Sequence, residues 1–402
     1  MTTMALADRI SRISLSPTAR VAIEAERLKR QYADVVDLGA GEPDFPTPPH
    51  VIAAAHEALD AGFTKYTANM GALALREAIA ERYRLDYGVT YAADEVIATA
   101  GGKQALFHAA LALFGPGDEV IVHSPGWPTL TEQIRLAGAT PVRVVADVER
   151  DFALTADLFL AAVTPATRGI VINSPANPTG ALLPESEAAR LADEAARRGI
   201  WIVLDLCYEG IVYDGAAHNL PRVFGERMRD RLVICGSVSK AYAMTGWRCG
   251  WVVADRAVAA AANVLQSHET SNVNSIAQKA AIAALSGPQD PVVRMRGEYQ
   301  RRRDLLVGLL AEEPRLRVVS PRGAFYLFPR VDAFLSDACP TSLEFASRLL
   351  RDAHVVATPG EAFDAPGYVR LSYAASIDQL RDGAARLIAF ARQLAPNVEA
   401  AR

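Results

Sequence analysis

GIVINSPANPTGALLPESEAARLADEAARRGIWIVLDLCY, Gly169 to Tyr208, holds two short apolar runs on either side of a stretch rich in alanine, arginine and glutamate. The runs GIVINSP (169–175) and IWIVLDLCY (200–208) are continuous and β-rich, as strands buried on both faces are, while PESEAARLADEAARRG (184–199) has helical spacing. Strand, helix and strand in that order predict a parallel crossover unit. Outward from it the same character recurs at VIATA (96–100), EVIVHSP (119–125), RLVICGSVS (231–239) and CGWVVA (249–254). An α/β domain with a mainly parallel sheet between helices is therefore expected. After Pro288 come a long charged amphipathic stretch (292–311), strands at RVVS and AFYLFPR, a helix, a strand at YVRLSYA and a last helix from Asp378 to about Leu394. This part reads as a smaller α+β domain. We place the large domain at 46–288 and the small one in 1–45 together with 289–402.

Bulk properties narrow the function. The chain has 402 residues, half of them hydrophobic and 22% charged, which is ordinary globular composition. A net charge of −4 with mixed signs gives no field for nucleic acid or an anionic membrane, and no apolar run approaches spanning length. The N-terminal MTTMALADRISRISLSP scatters its charges, so no export signal is expected. The four cysteines lack CxxC spacing, and reduced thiols in a cytoplasmic protein follow. Seven dispersed histidines without an HExxH pair predict no metal site. Small-molecule chemistry is what remains.

Open α/β sheets bind ligands beyond the carboxyl ends of their strands. VIATA runs into AGGKQALFHAALALF, where the Gly101-Gly102 turn feeds a helix whose free N–H groups can receive a phosphate. EVIVHSP ends at Trp127, GIVINSP runs into Asn177, and IWIVLDLCY carries Asp205 with Tyr208 three residues on. RLVICGSVSK delivers Ser237 and Lys240, with Arg248 following. Lysine is scarce here: all but Lys29, Lys65, Lys103, Lys240 and Lys279 of the 42 basic residues are arginine. An ammonium can lose its proton and attack a carbonyl, which a guanidinium cannot. Asp205 sits in an apolar run with no basic residue nearby in sequence and needs a cationic partner.

These parts fit one ligand, an aromatic cation with a phosphate arm and an aldehyde: pyridoxal 5′-phosphate. Asp205 would keep its ring nitrogen protonated, and Lys240 would bond to the aldehyde. Tyr208 and Asn177 would hydrogen-bond the phenolic oxygen and Trp127 would stack on the ring. Gly101, Gly102, Lys103, Ser237 and Arg248 would surround the phosphate.

GEPDFPTP (41–48), KYT (65–67), GGKQAL (101–106), SPGW (124–127), NSPANPTG (173–180), DLCYEG (205–210), SVSKAYAMTGWRCGW (237–251), GAFYLFP (323–329) and VRLSYA (369–374) together resemble the class I aminotransferases of fold type I, and most of all their bacterial aspartate aminotransferase subgroup. The resemblance spans nearly the whole chain in order. It implies a seven-stranded large-domain sheet and a homodimer in which Tyr66 reaches the neighbouring subunit's cofactor phosphate. It implies further that Arg370 binds the substrate α-carboxylate, assisted by Asn177, Trp127 and the backbone at Gly41, and that an amino group passes between an L-amino acid and a 2-oxo acid in ping-pong fashion.

For the substrate side chain the resemblance implies Lys103 with Ser16 and Thr18, which favours aspartate or glutamate. Gly126 stands where the subgroup often carries tyrosine, so a wider pocket admitting aromatic or other bulky substrates is the alternative, beside a lyase or decarboxylase on the same scaffold. A methyltransferase reading of VVDLGAGEPD (35–44) meets Pro43 and Asp44 where a helix and a glycine are required. A ligand-sensing regulator on this fold would carry a basic DNA-binding domain ahead of it, which about forty residues before Gly41 do not accommodate.

Overall fold

The structure, a computed structural model, describes residues 7–11, 13–14, 23, 25–28, 30 and 34–394. Its strands are β1 (Val36–Asp37), β2 (Val96–Thr99), β3 (Glu119–Ser124), β4 (Thr140–Val145), β5 (Thr167–Asn173), β6 (Trp201–Asp205), β7 (Leu232–Ser237), β8 (Gly250–Ala254), β9 (Tyr326–Leu327), β10 (Val355–Val356), β11 (Thr358–Pro359) and β12 (Val369–Ser372). Seven of them form one sheet in the order β2-β8-β7-β6-β5-β3-β4. Strands β3 to β7 run parallel, and β8 is antiparallel to both β2 and β7.

The central strands are apolar throughout because helices cover both faces; every residue of β2, β7 and β8 is buried. Strand β4 is the one the sequence does not announce. It lies at the edge, leaves Thr140, Arg143 and Val145 exposed and so lacks a continuous apolar run. The crossover helix Glu185–Arg198 buries Ala188, Leu191, Ala192 and Ala195 on one stripe, carries glutamates in its first turn and arginines in its last, and stops at Gly199 with φ 68°.

A second apolar core lies around Tyr299, Phe325, Tyr326, Phe345, Tyr373 and Leu387. Over it pack the helices Asp290–Leu310, Ser342–Ala353 and Ile377–Leu394 and the small antiparallel sheet β11-β12-β9, and β1 pairs in parallel with β10. The expected strand at 317–320 is reduced to a single bridge, Arg317 with Arg330. Asp44 ties the segment after β1 to this unit: Arg302 Nη1 donates to both its carboxylate oxygens, at 2.9 and 2.8 Å. Among the described residues no helix is long and apolar enough to cross a membrane, and no group of three or more His, Cys, Asp or Glu could hold a metal ion.

Candidate active site

A cavity of about 570 Å³ opens beyond the carboxyl ends of β3, β5, β6 and β7 and is closed from above by β12 and the segment after β1. Gly41, Gly102, Lys103, Trp127, Asn177, Asp205, Tyr208, Ser237, Lys240, Arg248 and Arg370 all line it. Residues scattered over more than 300 positions thus meet at one strand edge, as the parallel topology dictates.

One end of the cavity is a cradle without side chains. Gly101, with φ 82°, turns the chain from β2 into the helix Gly102–Leu113, and no side chain caps that helix. Its first N–H groups therefore face open space. A Cβ on Gly101 would lie 2.6 Å from Arg248 Nη2, and one on Gly102 would lie 2.7 Å from Cys207 Sγ. Arg248 donates to the carbonyls of Thr245 and Ala100 at 2.9 and 3.4 Å and to no carboxylate. With Ser237 beside it, this end offers backbone donors and a cation to a tetrahedral dianion.

The middle holds an acid and an amine. Asp205 closes β6 and is 1% exposed, and its Oδ1 accepts from Cys207 N at 3.1 Å. Burial pushes its carboxyl up, while hydrogen bonding from Cys207 and the nearby Lys240 charge hold it down. Lys240 Nζ donates to Gly41 O, and desolvation pulls its ammonium down to about 8. At neutral pH it is within reach of the free-base form a nucleophile needs.

The far end binds anions in another way. Arg370 is 3% exposed and donates to Asn177 Oδ1 at 3.2 Å, Gly39 O at 2.8 Å and Thr358 Oγ1 at 3.4 Å, none of them a carboxylate. Its Nε has no partner among the described residues, and its guanidinium lies 4.3 Å from the Tyr326 ring centre and 5.1 Å from that of Phe363. A buried, always-charged fork that faces a cavity with donors to spare calls for a planar anion. Tyr208 and Tyr326 share a hydrogen bond of 2.8 Å beside it. Lys103, exposed, stands 5.1 Å from the Trp127 ring centre, and burial of its surroundings lowers its ammonium below the usual range.

Other expected residues fall elsewhere. Gly101 shapes the cradle without lining it, Tyr66 is 91% exposed and outside the cavity, and Ser16 and Thr18 lie outside the described residues. Gly126 does not line the cavity in this structure, and a Cβ built on it would come within 2.3 Å of the His123 carbonyl, so a side chain there requires that turn to shift. Cys207, Tyr326, Asn173, Ser239, Thr245 and Glu42 line the cavity without having been assigned a part from sequence. Cys207 and Tyr326 sit inside quoted motifs, but nothing in their spacing says that they face inward.

The sequence matches the family described as aminotransferase class I and II over residues 33–387. The chain belongs to that family. It is 41% identical to an aspartate aminotransferase of Geobacillus stearothermophilus over 96% of this chain and 99% of that one. It is also 41% identical to an aspartate/prephenate aminotransferase of Cereibacter sphaeroides, over 96% and 98%. Among solved structures, the aspartate aminotransferase of Thermus thermophilus with maleate superposes with a TM-score of 0.91 at 39% identity, covering 96% of this chain and all of that one. That of Rhizobium meliloti gives 0.91 and 39%, covering 96% and 99%. The chain is thus an aminotransferase, of a family whose enzymes work with pyridoxal phosphate.

The lowered Lys240 ammonium gives a direct test. In cofactor-free protein, acetylation of the Lys240 peptide by acetic anhydride should rise with pH to a plateau with its midpoint near 8. A rate still climbing toward the ordinary lysine range of about 10.4 would contradict the assignment.

Proposed function

We propose that the cavity holds pyridoxal 5′-phosphate, with its phosphate on Gly101, Gly102, Ser237 and Arg248, its ring between Trp127 and the β6 end, and Asp205 under the ring nitrogen. The observation that carries this reading is Asp205, a carboxylate 1% exposed at the end of β6, in the same cavity as an amine lowered to about 8. A pyridinium supplies the missing counter-charge, and the bare glycine cradle suits a phosphate dianion. When bound, the cofactor supplies a covalent attachment point for the amino group and an electron sink for the Cα carbanion.

The protein's own groups do the rest. Lys240 would hold the cofactor's aldehyde, and as a free amine it is the group placed to take the proton from the substrate's Cα. Arg370 and Asn177 would hold the substrate's α-carboxylate and so orient it in the cavity. Tyr208 and Asn177 hydrogen-bond the phenolic oxygen. Exposed Tyr66, with Ile52, Leu59 and Leu73 also exposed, supports a homodimer in which Tyr66 completes the partner's phosphate site. We read the protein as cytoplasmic, in keeping with its bacterial relatives and reduced thiols.

For the substrate we infer an acidic pair, aspartate or glutamate with a 2-oxo dicarboxylic acid. Support comes from Lys103, an exposed cation lining the cavity beside Trp127, and from relatives and structures named for aspartate, one of them with a dicarboxylate. Ser16 and Thr18 would join Lys103. The Cereibacter sphaeroides relative keeps a bulkier acidic oxo acid as the second reading.

Asp205→Ala should bind the cofactor and lose at least roughly a hundredfold in rate, the scale seen when one preorganised electrostatic partner is removed. A near-normal rate would make the carboxylate merely structural. Specificity is read by mixing the yellow enzyme with single amino acids and following the bleaching of its visible band and the 2-oxo acid formed. Aspartate and glutamate should outpace phenylalanine, methionine and alanine, and Lys103→Ala should slow aspartate. Equal rates, or an unaffected Lys103→Ala, would overturn the acidic substrate and leave the aminotransferase intact.

A further inference from the structure

Asn173 lines the cavity, and the reading above gives it no task. It is the last residue of β5, 1% exposed, and its Cα pairs across the sheet with that of Asp205 on β6. Both ends of its side chain are engaged. Oδ1 accepts from Asn177 N at 2.7 Å, and Nδ2 donates to the Asp205 carbonyl at 3.3 Å. An acceptor turned to an N–H and a donor turned to a carbonyl are what one amide supplies. A carboxylate would set oxygen against oxygen at Asp205, and an aliphatic chain would deprive the Asn177 N–H of its acceptor. The turn beyond is closed by its own main chain, from Ala176 N to Ala181 O at 2.9 Å and from Gly180 N to Ala176 O at 2.8 Å, whereas the Asn177 N–H goes to the Asn173 side chain.

What this fixes is the reach of Asn177. Arg370 Nη1 donates to Asn177 Oδ1 at 3.2 Å, so the group that Asn177 can turn to a ligand is its Nδ2. Asn177 stands in the turn after β5 while Asp205 closes β6, and the Asn173 amide ties the one to the other. Resting on the cofactor reading, we propose that Asn173 is a positioning residue that acts through Asn177. By holding the Asn177 main chain to the end of β6, it sets the Asn177 amide at the phenolic oxygen of bound pyridoxal phosphate while Asp205 stands under the ring nitrogen. Two groups that address one rigid ring are thereby kept at a fixed separation, within the roughly half an ångström that such positioning demands.

The test is the pH at which the visible band of the cofactor-loaded enzyme titrates, read by absorbance without turnover. A donor on the phenolic oxygen drains negative charge that would otherwise hold the proton beside it, so loss of that donor raises the midpoint. Asn177→Ala should raise it by at least roughly half a unit, about threefold in the proton equilibrium, where tenfold is one unit. Asn173→Ala and Asn173→Leu, which remove the amide at smaller and similar volume, should raise it too. Combined with Asn177→Ala, neither should move the midpoint further, because the residue through which Asn173 acts is already gone. A wild-type midpoint in Asn177→Ala, or in both Asn173 variants, overturns the proposal. So does a shift of equal size with and without Asn177, or loss of the fold or of cofactor binding by both Asn173 variants, since either makes Asn173 a matter of packing. Failure of the wild-type chain to bind the cofactor or to show a titrating band would instead defeat the reading of the cavity.

Discussion

A carboxylate held at 1% exposure at the end of a central strand is the constraint around which this molecule is arranged. Burying such a charge costs several kcal/mol unless a counter-charge arrives. What surrounds Asp205 tempers the cost through Cys207 and the proximity of Lys240, without removing it. On the reading proposed above, the remaining compensation comes from the cofactor. A cation with a phosphate at one side and an electrophilic carbon at the other meets a glycine cradle, an amine and a buried guanidinium in the positions it needs.

The sheet makes that arrangement possible. Parallel strands end at one edge, so β3, β5, β6 and β7 deliver side chains from four well-separated stretches to the same floor. The second core supplies the roof. Arg370 on β12 and Tyr326 on β9 stand in adjacent strands, with Ser372 in register with Tyr326, and Arg302 fixes Asp44 so that the Gly41 carbonyl lies against Lys240. Acid and amine are therefore held by the sheet and the guanidinium fork by the second core, and a shift of either against the other would misplace the site.

Much of this was legible in the sequence because burial on both faces leaves a one-dimensional signature. Continuous apolar runs such as IWIVLD mark central strands, and a charged residue inside one, Asp205, marks a site. Edge strand β4 was not legible, since Thr140, Arg143 and Val145 are exposed and only Val144 is buried, which leaves no continuous apolar run. The short strands of the second unit read longer than they are because apolar residues there pack as irregular chain around Phe325 and Phe334. At Gly126 the sequence does not disclose that the backbone approaches closely, a built Cβ meeting the His123 carbonyl at 2.3 Å. The inward turn of Cys207 and the pairing of Tyr208 with Tyr326 depend on tertiary packing alone.

The central claim, that Asp205, the glycine cradle and Lys240 are parts of one cofactor site, is most directly tested by covalent trapping. Protein reconstituted with pyridoxal phosphate is reduced with borohydride, digested and mapped by mass spectrometry. The account predicts a phosphopyridoxyl group on Lys240 and on no other of the five lysines, with the yellow absorbance lost in step. Label on Lys103 or Lys279 with Lys240 unmodified, or no label at all, would contradict it.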